Sequence, residues 1–229
     1  MDGHFAFILR NSPPTIRGVI RAVLWDFGGV ISSSPFEAFN ELERASGLPK
    51  DFIRRVNATH PDTNAWARLE RNEVSAAGFD AAFAEDSRAL GHEVRGAAVL
   101  ACLAGDIRLE MVEALRRCKR AGLVQGCLTN NVARAESELD DPRSHRVAKV
   151  MDLFDAVIES SKVGVRKPEV GFYELACATL RVAPHECVFL DDLGVNLKPA
   201  AAMGMRTIKV LGPDQALSEL EDLLLIKLR

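Results

Sequence analysis

A short, β-rich apolar run recurs along this chain, and each copy stops abruptly at polar or glycine-rich residues. The first, Val19-Ile20-Arg21-Ala22-Val23-Leu24-Trp25, ends at Asp26-Phe27-Gly28-Gly29. Leu123–Leu128 ends at Thr129-Asn130-Asn131, Cys187–Leu190 at Asp191-Asp192, and Arg206–Leu211 at Gly212-Pro213; Ala156–Glu159 is a weaker copy. Runs this short and continuously apolar, bounded by turn residues, read as strands buried on both faces, the condition of a parallel sheet. Helix-period segments separate the later ones: Leu109–Arg120, Pro168–Leu180, Val195–Met203 and Gln215–Leu225. The alternation predicts an α/β chain doubly wound around a parallel sheet.

The stretch from Pro35 to Ala104 breaks that rhythm. It carries only helix-period patterns, such as Phe36-Phe39-Leu42, punctuated by Gly47-Leu48-Pro49, His60-Pro61 and Gly91. The expectation is an all-helical block, residues 33–106, inserted into an α/β core built from residues 1–32 and 107–229. The length of 229 residues suits such a domain with an insertion. Residues 1–18, closing on Pro13-Pro14 and Gly18, read as a loose extension.

Charge excludes several partners. With 29 basic against 32 acidic side chains and a net charge of −3, nothing favours nucleic acid or an anionic membrane. No run approaches the ~18 apolar residues of a membrane span, and Phe5–Leu9 is too short for a signal segment. The five cysteines form no C-x-x-C pair and read as reduced thiols, and the five histidines lack zinc-ligand spacing. A cytoplasmic location follows as the expectation; the oligomeric state is left open.

In open parallel sheets, ligands bind beyond the carboxyl ends of the strands. Those ends carry Asp26, Thr129-Asn130 and Asp191-Asp192, and Lys167 lies between them in the loop Val163-Gly164-Val165-Arg166-Lys167-Pro168. Carboxylates converging on one edge make a hard-oxygen site suited to Mg²⁺. A hydroxyl, an amide and a lysine beside it suit a phosphoryl group, and a carboxylate can serve as nucleophile. Taken singly, Asp26 also reads as a turn residue and Asp191-Asp192 as a helix cap. Lys162 and Lys198 read as surface lysines, Trp66 as a core residue of the helical block, and Arg68 and Arg71 as a solvated helix face.

Leu24-Trp25-Asp26-Phe27-Gly28-Gly29-Val30, Cys127-Leu128-Thr129-Asn130-Asn131, Arg166-Lys167-Pro168-Glu169 and Phe189-Leu190-Asp191-Asp192-Leu193-Gly194-Val195-Asn196 resemble, in order, the four motifs of the haloacid dehalogenase-like (HAD) hydrolases. The resemblance spans about residues 20–212. Within the family, the fourth motif is similar to the N-terminal phosphatase domain of soluble epoxide hydrolase. The Asp-x-Gly-Gly-Val first motif resembles the phosphatase-like domain of certain acyl-CoA dehydrogenases. The resemblance implies a Rossmann-like core with a helical cap of the C1 type, and a phosphatase of a small phosphorylated metabolite. Asp26 would be the nucleophile and a Mg²⁺ ligand, with the Gly28 carbonyl and Asp192 as further ligands. Thr129 and the Asn130 backbone would hold phosphoryl oxygens. Lys167 would neutralise nucleophile and phosphate, Asp191 would orient Lys167, and Asn196 would support the metal shell. Trp66–Ser75 resembles a stretch common in such caps.

One residue departs from the pattern. Most phosphatases of the family carry a second Asp two positions after the nucleophile as general acid and base, and here that position is Gly28. General acid–base help is worth about 10²–10⁴-fold, so the expected activity is slow, or selective for good leaving groups such as acyl phosphates. Two other readings stay open: a catalytically impaired binding or regulatory domain, and a haloacid dehalogenase. Against the latter stands the Asp191-Asp192 pair, which dehalogenases of the family usually lack.

Overall fold

The computed structural model describes residues 19–133 and 141–229. Five parallel strands form one sheet: β1 (Ala22–Trp25), β2 (Val124–Thr129), β3 (Ala156–Glu159), β4 (Cys187–Asp191) and β5 (Arg206–Lys209). Their order is β3-β2-β1-β4-β5, so β1 lies at the centre and the chain reverses direction across the sheet on either side of it. Register places Trp25 beside Cys127 on one side and Leu190 on the other.

Alternation along each strand divides the core into two layers. Val23, Trp25, Cys127, Val188 and Leu190 pack on one face against α6 (Leu109–Arg120), α7 (Pro142–Met151) and α11 (Pro213–Leu224). Ala22, Leu24, Leu128, Cys187 and Phe189 pack on the other against α9 (Val170–Leu180) and α10 (Gly194–Ala202). All four residues of β1 are fully buried, which is why it reads as a continuous apolar run rather than an alternating one; the expectation of burial on both faces fails at the edge strands, where β3 is half-buried and β5 exposes Arg206 and Lys209. Gln125 is polar yet wholly buried in β2. Its Oε1 accepts from Trp25 Nε1 at 2.9 Å and its Nε2 donates to the Leu123 carbonyl at 2.8 Å, so no polar group of the pair is stranded. A short helix, α8 (Ser160–Val163), follows β3.

Between β1 and α6 the chain forms five α-helices and no strand: α1 (Phe36–Ala45), α2 (Phe52–Ala58), α3 (Ala65–Glu70), α4 (Ala76–Ala89) and α5 (Gly96–Ala101). They enclose a third apolar cluster of their own, with Phe39, Phe52, Ile53, Phe79, Phe83 and Val99 at its centre. Trp66 packs edge-on against Phe39 and Phe79 inside it. Local signals start two of these helices. The Asn64 side chain accepts from Ala67 N–H, and the Ser75 hydroxyl accepts from Gly78 N–H. The chain enters and leaves the block side by side: Ser33 N–H bonds to the Asp106 carbonyl and Arg108 N–H to that of Ile31, at 2.8 and 2.9 Å. Among the described residues no helix is long and apolar enough to cross a membrane.

Candidate active site

Asp26 is the first residue beyond β1. Its carboxylate Oδ1 accepts from the Phe27 N–H at 2.6 Å and lies 2.8 Å from Lys167 Nζ. Asp26 thus caps the turn that follows it, as its turn reading has it, while its carboxylate faces Lys167. A wide turn, Phe27–Ile31, follows, with Gly29 at a φ of 79°. A side chain at Gly29 would run into the Asp192 carboxylate, so the first and fourth motifs can approach only because this residue is glycine. Gly28 is unlike it. Its φ of −71° suits any residue, and no atom lies within 4 Å of where a β-carbon would stand. From the far side, Arg108 Nη1 donates to the Gly29 carbonyl at 2.7 Å and holds the turn.

Lys167 is 1% exposed, yet its ammonium is fully engaged. Nζ lies 2.8 Å from both Asp26 Oδ1 and Asp191 Oδ2, with the Phe189 ring 5.6 Å away. Burial works against this charge, but the Asp191 and Asp26 carboxylates more than offset it and hold the lysine pKa above its ordinary value. Its peptide bond to Pro168 is cis.

The two carboxylates of the fourth motif are not equivalent. Asp191, at the end of β4, has its acceptors filled: Oδ1 takes Leu193 N–H at 2.8 Å, Oδ2 takes Lys167, and Asn196 Nδ2 reaches both oxygens at 3.1 Å. Asn196 therefore braces Asp191, and it is itself tied at its carbonyl by the buried Tyr173 hydroxyl at 2.7 Å. Asp192 Oδ2 accepts from the Ser34 hydroxyl at 3.2 Å, and among the described residues no other side chain bonds to this carboxylate. Burial, with the Asp191 charge adding, raises Asp192 to about 6. Burial likewise raises Asp26 well above the usual carboxylate range, against the lowering pull of Lys167.

Carboxylate oxygens of Asp26, Asp191 and Asp192 come within 4.8 Å of one another. Three carboxylates facing one lysine leave a surplus of buried negative charge. An oxygen-only donor set with that surplus fits a hard divalent cation. With Asp191 saturated, Asp26 and Asp192 are the side chains left to hold it.

Thr129, the last residue of β2, is buried, and Asn130 follows it. The Asn130 side chain is committed to the protein: Oδ1 accepts from Lys167 N–H at 2.9 Å, while Nδ2 donates to the Lys167 carbonyl at 3.0 Å and to Glu70 Oε2 at 3.1 Å. Lys162 and Lys198 are exposed, as expected of surface lysines. Arg68 is exposed too, but the expectation of a solvated face fails at Arg71. Arg71 grips Glu169 Oε1 through Nε and Nη2 at 2.9 and 2.6 Å, because the end of α3 is packed against the loop that carries Lys167. Sequence reasoning missed Glu70, Ser34, Arg108 and Tyr173. The one available signal was that Glu70 and Arg71 lie in the Trp66–Ser75 stretch.

A doubly wound α/β enzyme with carboxylates and a lysine at the carboxyl edge of its sheet is the class that fold and site define. Residues 20–204 match the haloacid dehalogenase-like hydrolases, and the chain belongs to that family. It is 32% identical over 213 residues to the mouse (Mus musculus) Bifunctional epoxide hydrolase 2, covering 88% of this chain and 38% of that protein. The chain thus spans well under half of the length of that relative. It is 32% identical over 204 residues to Phosphatase MT3486 of Mycobacterium tuberculosis (strain CDC 1551 / Oshkosh), covering 83% of this chain and 87% of that one. Among solved structures, the fold matches a HAD family enzyme from Bacteroides thetaiotaomicron in complex with magnesium and inorganic phosphate. The TM-score is 0.57 at 19% identity, over 88% of this chain and 98% of the other.

Proposed function

We propose that this hydrolase is a Mg²⁺-dependent phosphatase of a small phosphorylated metabolite, acting through a phosphoenzyme on Asp26. The observation that carries the reading is Lys167 Nζ, 2.8 Å from both Asp26 and Asp191, beside an Asp192 carboxylate whose one side-chain donor among the described residues is Ser34. The phosphatase relative, and the magnesium and phosphate of the solved neighbour, support it. Bound Mg²⁺, held by Asp26, Asp192 and the Gly28 carbonyl, would supply positive charge for the phosphoryl oxygens.

The chain's own residues do the rest. Lys167 and Phe27 N–H hold Asp26 Oδ1, which orients the carboxylate and turns Oδ2, free of hydrogen bonds among the described residues, toward phosphorus. A bond forms from Asp26 oxygen to phosphorus as the ester P–O bond breaks. The Thr129 hydroxyl and Asn130 N–H hold the phosphoryl oxygens, and Lys167 balances the charge. Water then attacks the phosphorus, releasing inorganic phosphate and restoring the Asp26 carboxylate. With Gly28 offering no proton, the departing oxygen takes one from water, which favours acyl and anomeric sugar phosphates over alkyl phosphates. The helical block of residues 33–106 acts as a cap that excludes water, its contacts from Ser34 and Glu70 reaching the site. The five free cysteines agree with a reducing cytoplasm.

The test is a panel of acyl, sugar and alkyl phosphates, with Mg²⁺ or a chelator, for wild type and Asp26→Asn. Wild type should turn over acyl phosphates only with Mg²⁺, and Asp26→Asn should lose about 10³-fold or more in kcat. Gly28 favours one second reading, an impaired domain that binds ligands without turnover. Mg²⁺ binding with no hydrolysis anywhere in the panel would establish it in place of the phosphatase.

A further inference from the structure

The lysine of the site is placed by its backbone, and the backbone of Lys167 is held from a distance. Asn130 clamps both polar groups of residue 167, accepting from the N–H and donating to the carbonyl. The remaining Asn130 amide hydrogen goes to Glu70 Oε2 at 3.1 Å. Glu70 ends α3 in the helical block and is itself 6% exposed. Its carboxylate is fixed from two more directions: Oε1 by Trp66 Nε1 at 2.8 Å, and Oε2 by Arg166 Nε at 2.5 Å. Arg166, next to Lys167, is anchored in turn on the Pro61 carbonyl at 3.1 Å.

We propose that Glu70 is a positioning residue that sets Lys167 against Asp26 by locking the Asn130 side chain, an assignment whose catalytic consequence rests on the phosphatase reading above. A carboxylate only accepts, so it enforces the one Asn130 orientation whose Oδ1 faces the Lys167 N–H. It also grips Arg166, so the residue before Lys167 and the amide clasping Lys167 are tied to the same oxygen, Glu70 Oε2. The lysine loop is aligned when α3 is docked, and the helical block reports its docking to the reacting carboxylate by this route. Arg71 and Glu169 form a second pair across the same junction, but they touch neither Asn130 nor Lys167, which makes them an internal control. Burying an ion pair such as Glu70–Arg166 gives little net stability by itself, and its hydrogen-bond partners give it a use beyond stability.

The experiment compares wild type, Glu70→Gln and Arg71→Gln. Backbone amide exchange at Lys167 is followed in ¹⁵N-lysine-labelled protein, assigned with Lys167→Met, alongside kcat on an acyl phosphate at saturating Mg²⁺. Gln keeps the shape of Glu but must present a donor to one of its partners. For Glu70→Gln, Lys167 exchange should rise about tenfold or more and kcat fall about 10- to 100-fold. Arg71→Gln should leave Lys167 exchange at the wild-type value. Equal kcat losses in both variants with Lys167 exchange unmoved would overturn the proposal and leave only a docking contact. If wild type hydrolyses nothing, the phosphatase reading fails, while the exchange comparison still decides whether Glu70 positions Lys167. Should Glu70→Gln not fold, Trp66→Phe removes one of the bonds that fix Glu70. It must then raise Lys167 exchange in the same direction, and an unchanged value refutes the role.

Discussion

Two adjacent glycines in the first motif do opposite work. Gly29 is structural: its positive φ and its approach to Asp192 leave no room for a side chain. Gly29→Ala should cost about 1–3 kcal/mol, read as a drop in urea midpoint with an unchanged slope. Gly28 has open space and ordinary dihedrals, so its lack of a side chain is a chemical matter rather than a steric one. Gly28→Asp should fold as wild type and supply the missing proton donor. Steady-state kinetics should then show alkyl phosphate turnover rising about 10²–10⁴-fold with little change on acyl phosphates. Equal alkyl rates in the two proteins would show that the missing acid does not limit turnover.

At the level of elements, α11 shows how a helix end is secured without a glycine. It closes on Leu225 in a left-handed conformation, and the tail beyond folds back onto Glu221. That carboxylate accepts from the Leu228 N–H at 2.7 Å and the Arg229 N–H at 3.1 Å, with the Arg229 guanidinium 3.0 Å away. The Leu228 N–H first, and then Arg229, lower its pKa to about 2. An unfolded Glu titrates near about 4.3, so the folded state binds this proton less tightly. The stabilisation is complete above that value and is lost as the pH falls toward 2. The Tm gap between wild type and Glu221→Gln should therefore be largest above pH 5 and narrow steadily in acid. A gap independent of pH would refute the assignment.

Over the whole molecule, the acidic cluster holds more negative charge than Lys167 neutralises, and that surplus sets how the fold responds to a cation. Ligand binding to the folded state alone stabilises by about 2.7 kcal/mol at 100 times Kd. MgCl₂ should raise the Tm of wild type relative to a chelated sample. Asp192→Asn should erase that rise and raise the Tm of the chelated protein, since one buried repulsion is gone. A Mg²⁺ shift that survives Asp192→Asn would place the ion elsewhere.

Much of this architecture could be read from residue order. The α6 bounds and β3 agree with the sequence expectation to the residue, and the other strands differ from it only at their ends. For the inner strands β1, β2 and β4 the reason is that burial on both faces demands a nearly continuous apolar run that stops where polar groups begin; the edge strands β3 and β5 are partly exposed, and only the turn residues around them mark their place. The strand-end residues Asp26, Thr129, Asp191 and Asp192 follow from the same rule. What order could not supply is how hydrogen-bonding capacity is divided. Asp191 and Asp192 are neighbours of one type, yet three donor groups make four bonds to the first, while the Ser34 hydroxyl is the side-chain donor that reaches the second among the described residues. Leu193 and Asn196 are local donors to Asp191, but Lys167 lies 24 residues from it, and Ser34 lies 158 residues from Asp192. Glu70 and Asn130 meet across 60 residues, and Arg71 and Glu169 across 98. Side-chain type determines how many bonds a group can make and local pattern determines its element. Only tertiary packing, of the strand-end loops against one another and of the helical block against them, decides which partners arrive, because that placement depends on contacts between segments remote in the chain.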